Sequence, residues 1–221
     1  MLRPGVFKQP ISYHYDVYAP ENAPAPLLVS LHGYGQTKEI ALRFGKNIRR
    51  DWSLAALQAP HAHHQRHAET AAVGFSWVSP FHPAEDIANH HAFLRHVIDE
   101  AFAEGLTAQR KAFLFGFSQS VSLNYRFALA HPEYVAGVVA VAGATPSDWV
   151  DAELVLPVPV LHLAPVADEA YPAEKTRVFR EVLGRSVRDL TWADMPGRHR
   201  VPSAAYPVIR EWLEARAASE T

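Results

Sequence analysis

Serine is a poor nucleophile until an imidazole removes its proton, and the imidazole needs a carboxylate to fix its orientation and tautomer. The chain offers the three groups in the order serine, acid, histidine. Gly116-Phe117-Ser118-Gln119-Ser120 closes an apolar run, Ala112 to Phe117, and opens a helical stretch, Val121 to Ala130. A serine on such a strand-to-helix turn has its hydroxyl forced into the open, with small residues two places to either side because strand and helix pass close together. Taken alone, Ser118 could equally cap the helix that follows. Downstream, Asp168 stands in Val166-Ala167-Asp168-Glu169-Ala170-Tyr171-Pro172, with Glu169 beside it and Asp194 as a more distant rival. Of the thirteen histidines, His199 is the one that follows both Ser118 and Asp168.

These residues need a scaffold that brings separate loops to one edge. Short apolar runs supply strands at residues 12–19, Leu27 to Leu31, Ser53 to Gln58, Ala112 to Phe117, Val135 to Val141, Val158 to Leu163 and Asp189 to Trp192. Helical spacing places Ile87, His91, Leu94, Ile98 and Phe102 on one face, then Phe179, Val182 and Leu183, then Ala205, Ile209, Trp212 and Leu213. Strands alternating with helices imply right-handed crossovers and a mostly parallel sheet with helices on both faces. Ligands of such sheets bind beyond the carboxyl ends of the strands, where the loops after Leu31, Phe117, Leu163 and Trp192 lie. His162, inside an apolar run, reads as a core side chain.

With His32-Gly33-Tyr34-Gly35, Gly116 to Ser120, Asp168 four residues before Pro172, and Gly197-Arg198-His199 followed by Val201-Pro202, the chain resembles the phospholipase/carboxylesterase family of α/β-hydrolases, which includes acyl-protein thioesterases. The resemblance runs from Leu27 to Leu213. It implies an α/β-hydrolase fold in which Ser118, Asp168 and His199 are catalytic and the backbone N–H groups of Tyr34 and Gln119 form the oxyanion hole. The spacing to Pro172 favours Asp168 over Glu169. Trp77, in Gly74-Phe75-Ser76-Trp77, resembles a segment beside the acyl pocket and is expected to bind substrate, with simple core packing as the equal alternative. Two positions depart from the pattern: Ser120 and Arg198 stand where glycine is common.

Composition narrows the rest. Nearly half the residues are hydrophobic and the formal charge is −2, with no basic run to follow a phosphate backbone, so nucleic acid is not an expected partner. The absence of cysteine excludes thiolate metal sites and cysteine nucleophiles. His61-Ala62-His63-His64-Gln65-Arg66-His67 has metal-ligand chemistry but no interleaved acid, and reads as a polar loop. No metal and no cofactor is expected. Neither a signal sequence nor an apolar run long enough to span a membrane is present, which suggests a cytoplasmic protein acting on a small-molecule ester. Residues 1–221 read as one domain. Only Ala142 to Pro157 separates two predicted strands where hydrolase lids are usually inserted, so a cap domain is not expected. The combined expectation is a serine esterase for soluble short- to medium-chain substrates working through an acyl-enzyme, with a thioesterase, a lysophospholipase or a non-catalytic binding protein as alternatives.

Overall fold

A computed structural model describes residues 11–65 and 73–218. The strands are β1 Tyr15–Tyr18, β2 Leu27–Leu31, β3 Ser53–Leu57, β4 His61–His64, β5 Val73–Ser76, β6 Ala112–Phe117, β7 Val135–Val141, β8 Val160–Pro165 and β9 Leu190–Met195. The helices are α1 Lys38–Ile48, α2 Pro83–Ala103, α3 Gln119–Ala130, α4 Ala173–Ser186 and α5 Ala205–Ala217. Seven strands form one sheet in the order β1-β3-β2-β6-β7-β8-β9. Only β1 runs antiparallel to its neighbour; the remaining pairs are parallel.

Alternation along the strands builds two cores. Leu27, Val29 and Leu31 of β2 and Leu114 of β6 face a layer containing Phe93, Leu94, Val97, Val121, Val182 and Leu183 from α2, α3 and α4. Leu28, Phe113, Phe115 and Phe117 face the other layer, with Ile48, Ile209, Trp212 and Leu213 from α1 and α5. Strand order reverses at β2, with β3 on one side and β6 on the other, so the crevice beyond the ends of β2 and β6 is the natural ligand position of the sheet.

The structure departs from the sequence reading in several places. β8 and β9 extend to Pro165 and Met195, beyond the expected ends at Leu163 and Trp192; β9 lies at the sheet edge and is half-buried, so its polar Thr191 and Asp194 do not interrupt it. The buried stripe of α2 is Asp86, His90, Phe93, Leu94, Val97, Ile98 and Ala101, rotated by about one position from the expected face. His90 is therefore the fully buried histidine, while Phe102 is 42% exposed. Helix α1 gives little apolar signal because its buried positions include the small residues Ala41 and Gly45. A Cβ on Gly45 would lie 3.5 Å from Leu54, showing how closely this helix approaches the sheet. The two-stranded β4–β5 hairpin carries no hydrophobic run at all.

Candidate active site

Ser118 occupies the turn from β6 into α3 with φ 57° and ψ −113°, a left-handed region that non-glycine residues rarely enter. Its N–H donates to the Val141 carbonyl at 3.0 Å, and its own carbonyl accepts from Val121 at 3.2 Å. Its hydroxyl makes no capping bond to the helix. Small neighbours are a steric requirement here: a Cβ on Gly116 would come within 2.8 Å of Asn124 and 3.3 Å of the Val121 backbone. Ser120, at the position where the family resemblance leads one to expect glycine, is accommodated because its hydroxyl is hydrogen-bonded in the interior. It accepts from the Phe117 N–H at 3.1 Å and lies within donating distance of the Leu31 carbonyl at 3.2 Å, joining the end of β2 to the turn.

Loops after β8 and β9 carry the other two groups to the same place. His199 Nε2 is 2.9 Å from Ser118 Oγ, and His199 Nδ1 is 2.9 Å and 3.0 Å from the Asp168 carboxylate oxygens. With Nδ1–H donating to the carboxylate, Nε2 is left to accept the serine proton. Asp168 is almost fully buried, and its Oδ1 also accepts the backbone N–H groups of Ala170 and Tyr171 at 2.8 Å and 2.9 Å. Neither rival acid faces the ring. Glu169 instead accepts the backbone N–H of His199 at 3.1 Å and lies 3.4 Å from Arg198; backbone N–H groups, with Arg198 adding to them, hold its carboxyl below the usual range. Asp194 accepts from the Trp192 indole and is more than half exposed.

Two aromatic rings confine the imidazole, Phe117 at 5.2 Å and Tyr171 at 5.6 Å between centroids. The Tyr171 phenol also meets the Ser118 hydroxyl; burial raises its pKa and that contact partly opposes the rise. Sequence reading missed Tyr171, although it lies only three residues past Asp168 in the same loop.

The loop after β2 faces Ser118. Buried His32 donates from Nδ1 to the Gly33 carbonyl at 2.7 Å and accepts the Ala59 N–H on Nε2 at 3.1 Å. Burial lowers its pKa to about 4, so the ring is neutral and serves as a peg for the loop. Gly33 N–H donates to Gln36 Oε1 at 2.9 Å, and Gly35, at φ 76°, donates to Phe75 at 2.9 Å. Among the described residues the backbone N–H groups of Tyr34 and Gln119 have no intramolecular acceptor. Trp77, expected to bind substrate, is 2% exposed and does not line the cleft beside Ser118. Its indole donates to the His32 carbonyl at 2.8 Å and its N–H to Gln119 Oε1 at 2.9 Å. The large ring lies behind the loops and ties them together, because both of its donors are used up inside the protein.

Ser118 and His199 open into a cleft of about 580 Å³ whose walls include Tyr34, Ile40, Phe44, Phe117, Arg200 and Val201. Tyr34 is 62% exposed, and its ring stacks on His63 at 4.6 Å. His61 pairs with Asp86 at 2.9 Å. The histidine-rich segment thus has structural partners at His61 and His63, while Arg66 and His67 fall outside the described residues. Among the described residues no group of three or more His, Cys, Asp or Glu is placed to hold a metal ion.

A mostly parallel sheet with helices on both faces, and with polar groups gathered beyond its strand ends, defines an α/β-hydrolase. The chain belongs to the phospholipase/carboxylesterase family, whose sequence profile matches residues 13–216. It is 29% identical over 167 residues to NocK of Nocardia uniformis subsp. tsuyamanensis, a proposed esterase; the match covers 72% of this chain and 46% of that protein. The chain thus spans about half the length of that relative. A carboxylesterase from Mesorhizobium loti superposes with a TM-score of 0.73 at 20% identity, covering 91% of this chain and 94% of that one. Zea mays acyl-protein thioesterase 2 superposes with a TM-score of 0.68 at 16% identity, covering 92% and 98%. Among the described residues no helix is long and apolar enough to cross a membrane.

Proposed function

We propose that the protein is a serine esterase that cleaves soluble short- to medium-chain carboxylic esters through an acyl-enzyme. The observation that carries this reading is the continuous chain of contacts from Ser118 Oγ through His199 to the buried Asp168, each within 3.0 Å. Ser118 attacks the ester carbonyl as His199 Nε2 takes its proton. Asp168 holds the tautomer and stabilises the imidazolium, and the Tyr34 and Gln119 N–H groups receive the oxyanion. Collapse of the tetrahedral adduct breaks the ester C–O bond, and the imidazolium returns its proton to the departing alcohol. Water, deprotonated by the same imidazole, then cleaves the acyl-serine and releases the acid. No step calls for a cofactor.

Substrate size follows from what surrounds the cleft. Residues 142–159, between β7 and β8, hold a single short 3-10 turn at Ser147–Trp149, so this connection supplies no lid to be opened by an oil–water interface. The test is labelling with a fluorophosphonate together with a panel of butyrate to palmitate esters. The reading expects labelling of the wild type and none of Ser118→Ala, with turnover highest on soluble chains. Labelling that survives Ser118→Ala would remove Ser118 from the reaction, and a jump in rate at the solubility limit of a long-chain ester would overturn the size assignment.

A further inference from the structure

Two arginines flank His199, and their surroundings differ. Arg198 faces Glu169 at 3.4 Å, so its charge is matched. Arg200 follows a tight turn in which its N–H donates to the Arg198 carbonyl at 2.7 Å, and its side chain forms part of the wall of the cleft that holds Ser118, Phe44 and Phe117. Among the described residues the Arg200 guanidinium has no ion pair and no hydrogen bond. An exposed, unmatched cation on the wall of a cleft with both polar and apolar lining, one residue from the proposed proton shuttle, favours a substrate that brings its own negative charge. A guanidinium presents a planar fork of donors suited to two oxygens of a carboxylate or phosphate.

We propose that Arg200 binds an acidic group on the substrate, so that the preferred esters carry a carboxylate or phosphate monoanion separated from the scissile carbonyl by a short apolar spacer lying on Phe117 and Phe44. This inference rests on the assignment of Ser118 as nucleophile, and the experiment separates the two. The first readout is the ratio of kcat/KM for monoethyl glutarate over ethyl pentanoate, and for ethyl 4-phosphonobutyrate over ethyl pentanoate, at low and high salt. The wild type prefers at least one anionic ester, and Arg200→Gln lowers that ratio by about tenfold. Arg198→Gln, which removes a charge already matched by Glu169, leaves the ratio within about twofold. Added salt at 0.5 M erodes the wild-type preference. The larger of the two ratios tells a carboxylate-bearing substrate from a phosphate-bearing one. The second readout needs no turnover: calorimetric binding of monoethyl glutarate to Ser118→Ala, which weakens by about tenfold when Arg200→Gln is added. Equal ratios in wild type and Arg200→Gln, or equal binding in the second readout, overturn the role of Arg200. A wild type that hydrolyses no ester but binds the anion through Arg200 overturns the esterase reading and the ester preference, and leaves only the anion-binding role of Arg200.

Discussion

The two halves of the site are held in different ways. On the nucleophile side, the turn at Ser118 is fixed from the interior: Ser120 bonds to Phe117 and lies within reach of the Leu31 carbonyl, His32 pegs the facing loop, and Trp77 joins that loop to Gln119. On the histidine side, Asp168 is buried, and the His199 loop is tied by the Ala167 N–H, which donates to the Gly197 carbonyl at 3.0 Å, and by Glu169 and Arg198, which face solvent. A strained φ at Ser118 persists only where its surroundings over-determine it, which the first half provides. The second half orients the imidazole with one buried carboxylate and the two neighbouring rings of Phe117 and Tyr171. Substitutions on the first side should therefore cost stability, and those on the second should cost activity, most of all at Asp168.

The largest effect is expected at that carboxylate. Asp168→Asn removes the charge that fixes the His199 tautomer and should reduce kcat/KM by about a thousandfold or more with the fold retained. Glu169→Gln keeps an oxygen for the His199 backbone N–H and should stay within about fivefold. Assaying both on one ester checks the pair, and the reverse pattern would move the acid by one residue.

Next in size is a packing test on the nucleophile side. A Cβ on Gly143, just past β7, would stand 2.3 Å from the Val121 side chain of α3, so Gly143→Ala must push the helix that follows Ser118. Overpacking of this kind costs about 3 kcal/mol, or a fall in Tm of roughly 10 °C. Gly184→Ala on α4 is the control. Its Cβ would meet nothing within 4 Å, and replacing a helical glycine should raise stability by about 0.5–1 kcal/mol. Equal melting temperatures for the two variants would mean that the turn is less tightly built than its contacts indicate.

Acid probes the interior by a different route. Burial lowers the pKa of His32 to about 4 and those of His90 and His162 to about 3, so these rings stay neutral in the folded protein and take up protons more readily when it unfolds. Their contribution is fully present above the unfolded value near 6.5 and is lost as pH falls toward the folded values, by about 1.4 kcal/mol per pH unit for each ring. The urea midpoint should drop between pH 7 and pH 5. A flat midpoint would show that these histidines are not held neutral.

What the sequence made legible follows the same division between interior and surface. Leu27–Leu31, Ala112–Phe117 and Val135–Val141 could be read to the residue because a strand buried on both faces is an unbroken apolar run between turn residues. Edge strand β9, the small-residue face of α1 and the β4–β5 hairpin lack that pattern. Ser118, Asp168 and His199, which the structure brings together, could be singled out because the chemistry admits few residue types and the α/β-hydrolase fold sets their chain order. Tyr171, Arg200 and the buried hydroxyl of Ser120 could not, because what each does depends on which side chain faces it across the site. Trp77 was left open between a place beside the acyl pocket and core packing, and its 2% exposure with both donors turned inward places it in the core.

The smallest effect concerns Arg198. Its guanidinium and the Glu169 carboxylate are both largely exposed, and a pair of that kind is screened by solvent and salt. Glu169 still accepts the His199 backbone N–H when the arginine is gone, and Asp168 still holds the ring. Arg198→Ala should then lower kcat/KM on a neutral ester by no more than about threefold, and wild-type activity should change by a similar factor between low salt and 0.5 M. A loss above about thirtyfold would mean that the exposed pair, and not the buried carboxylate, sets the position of the imidazole. In that case the histidine side would be over-determined like the nucleophile side, and the contrast between the two halves would fail.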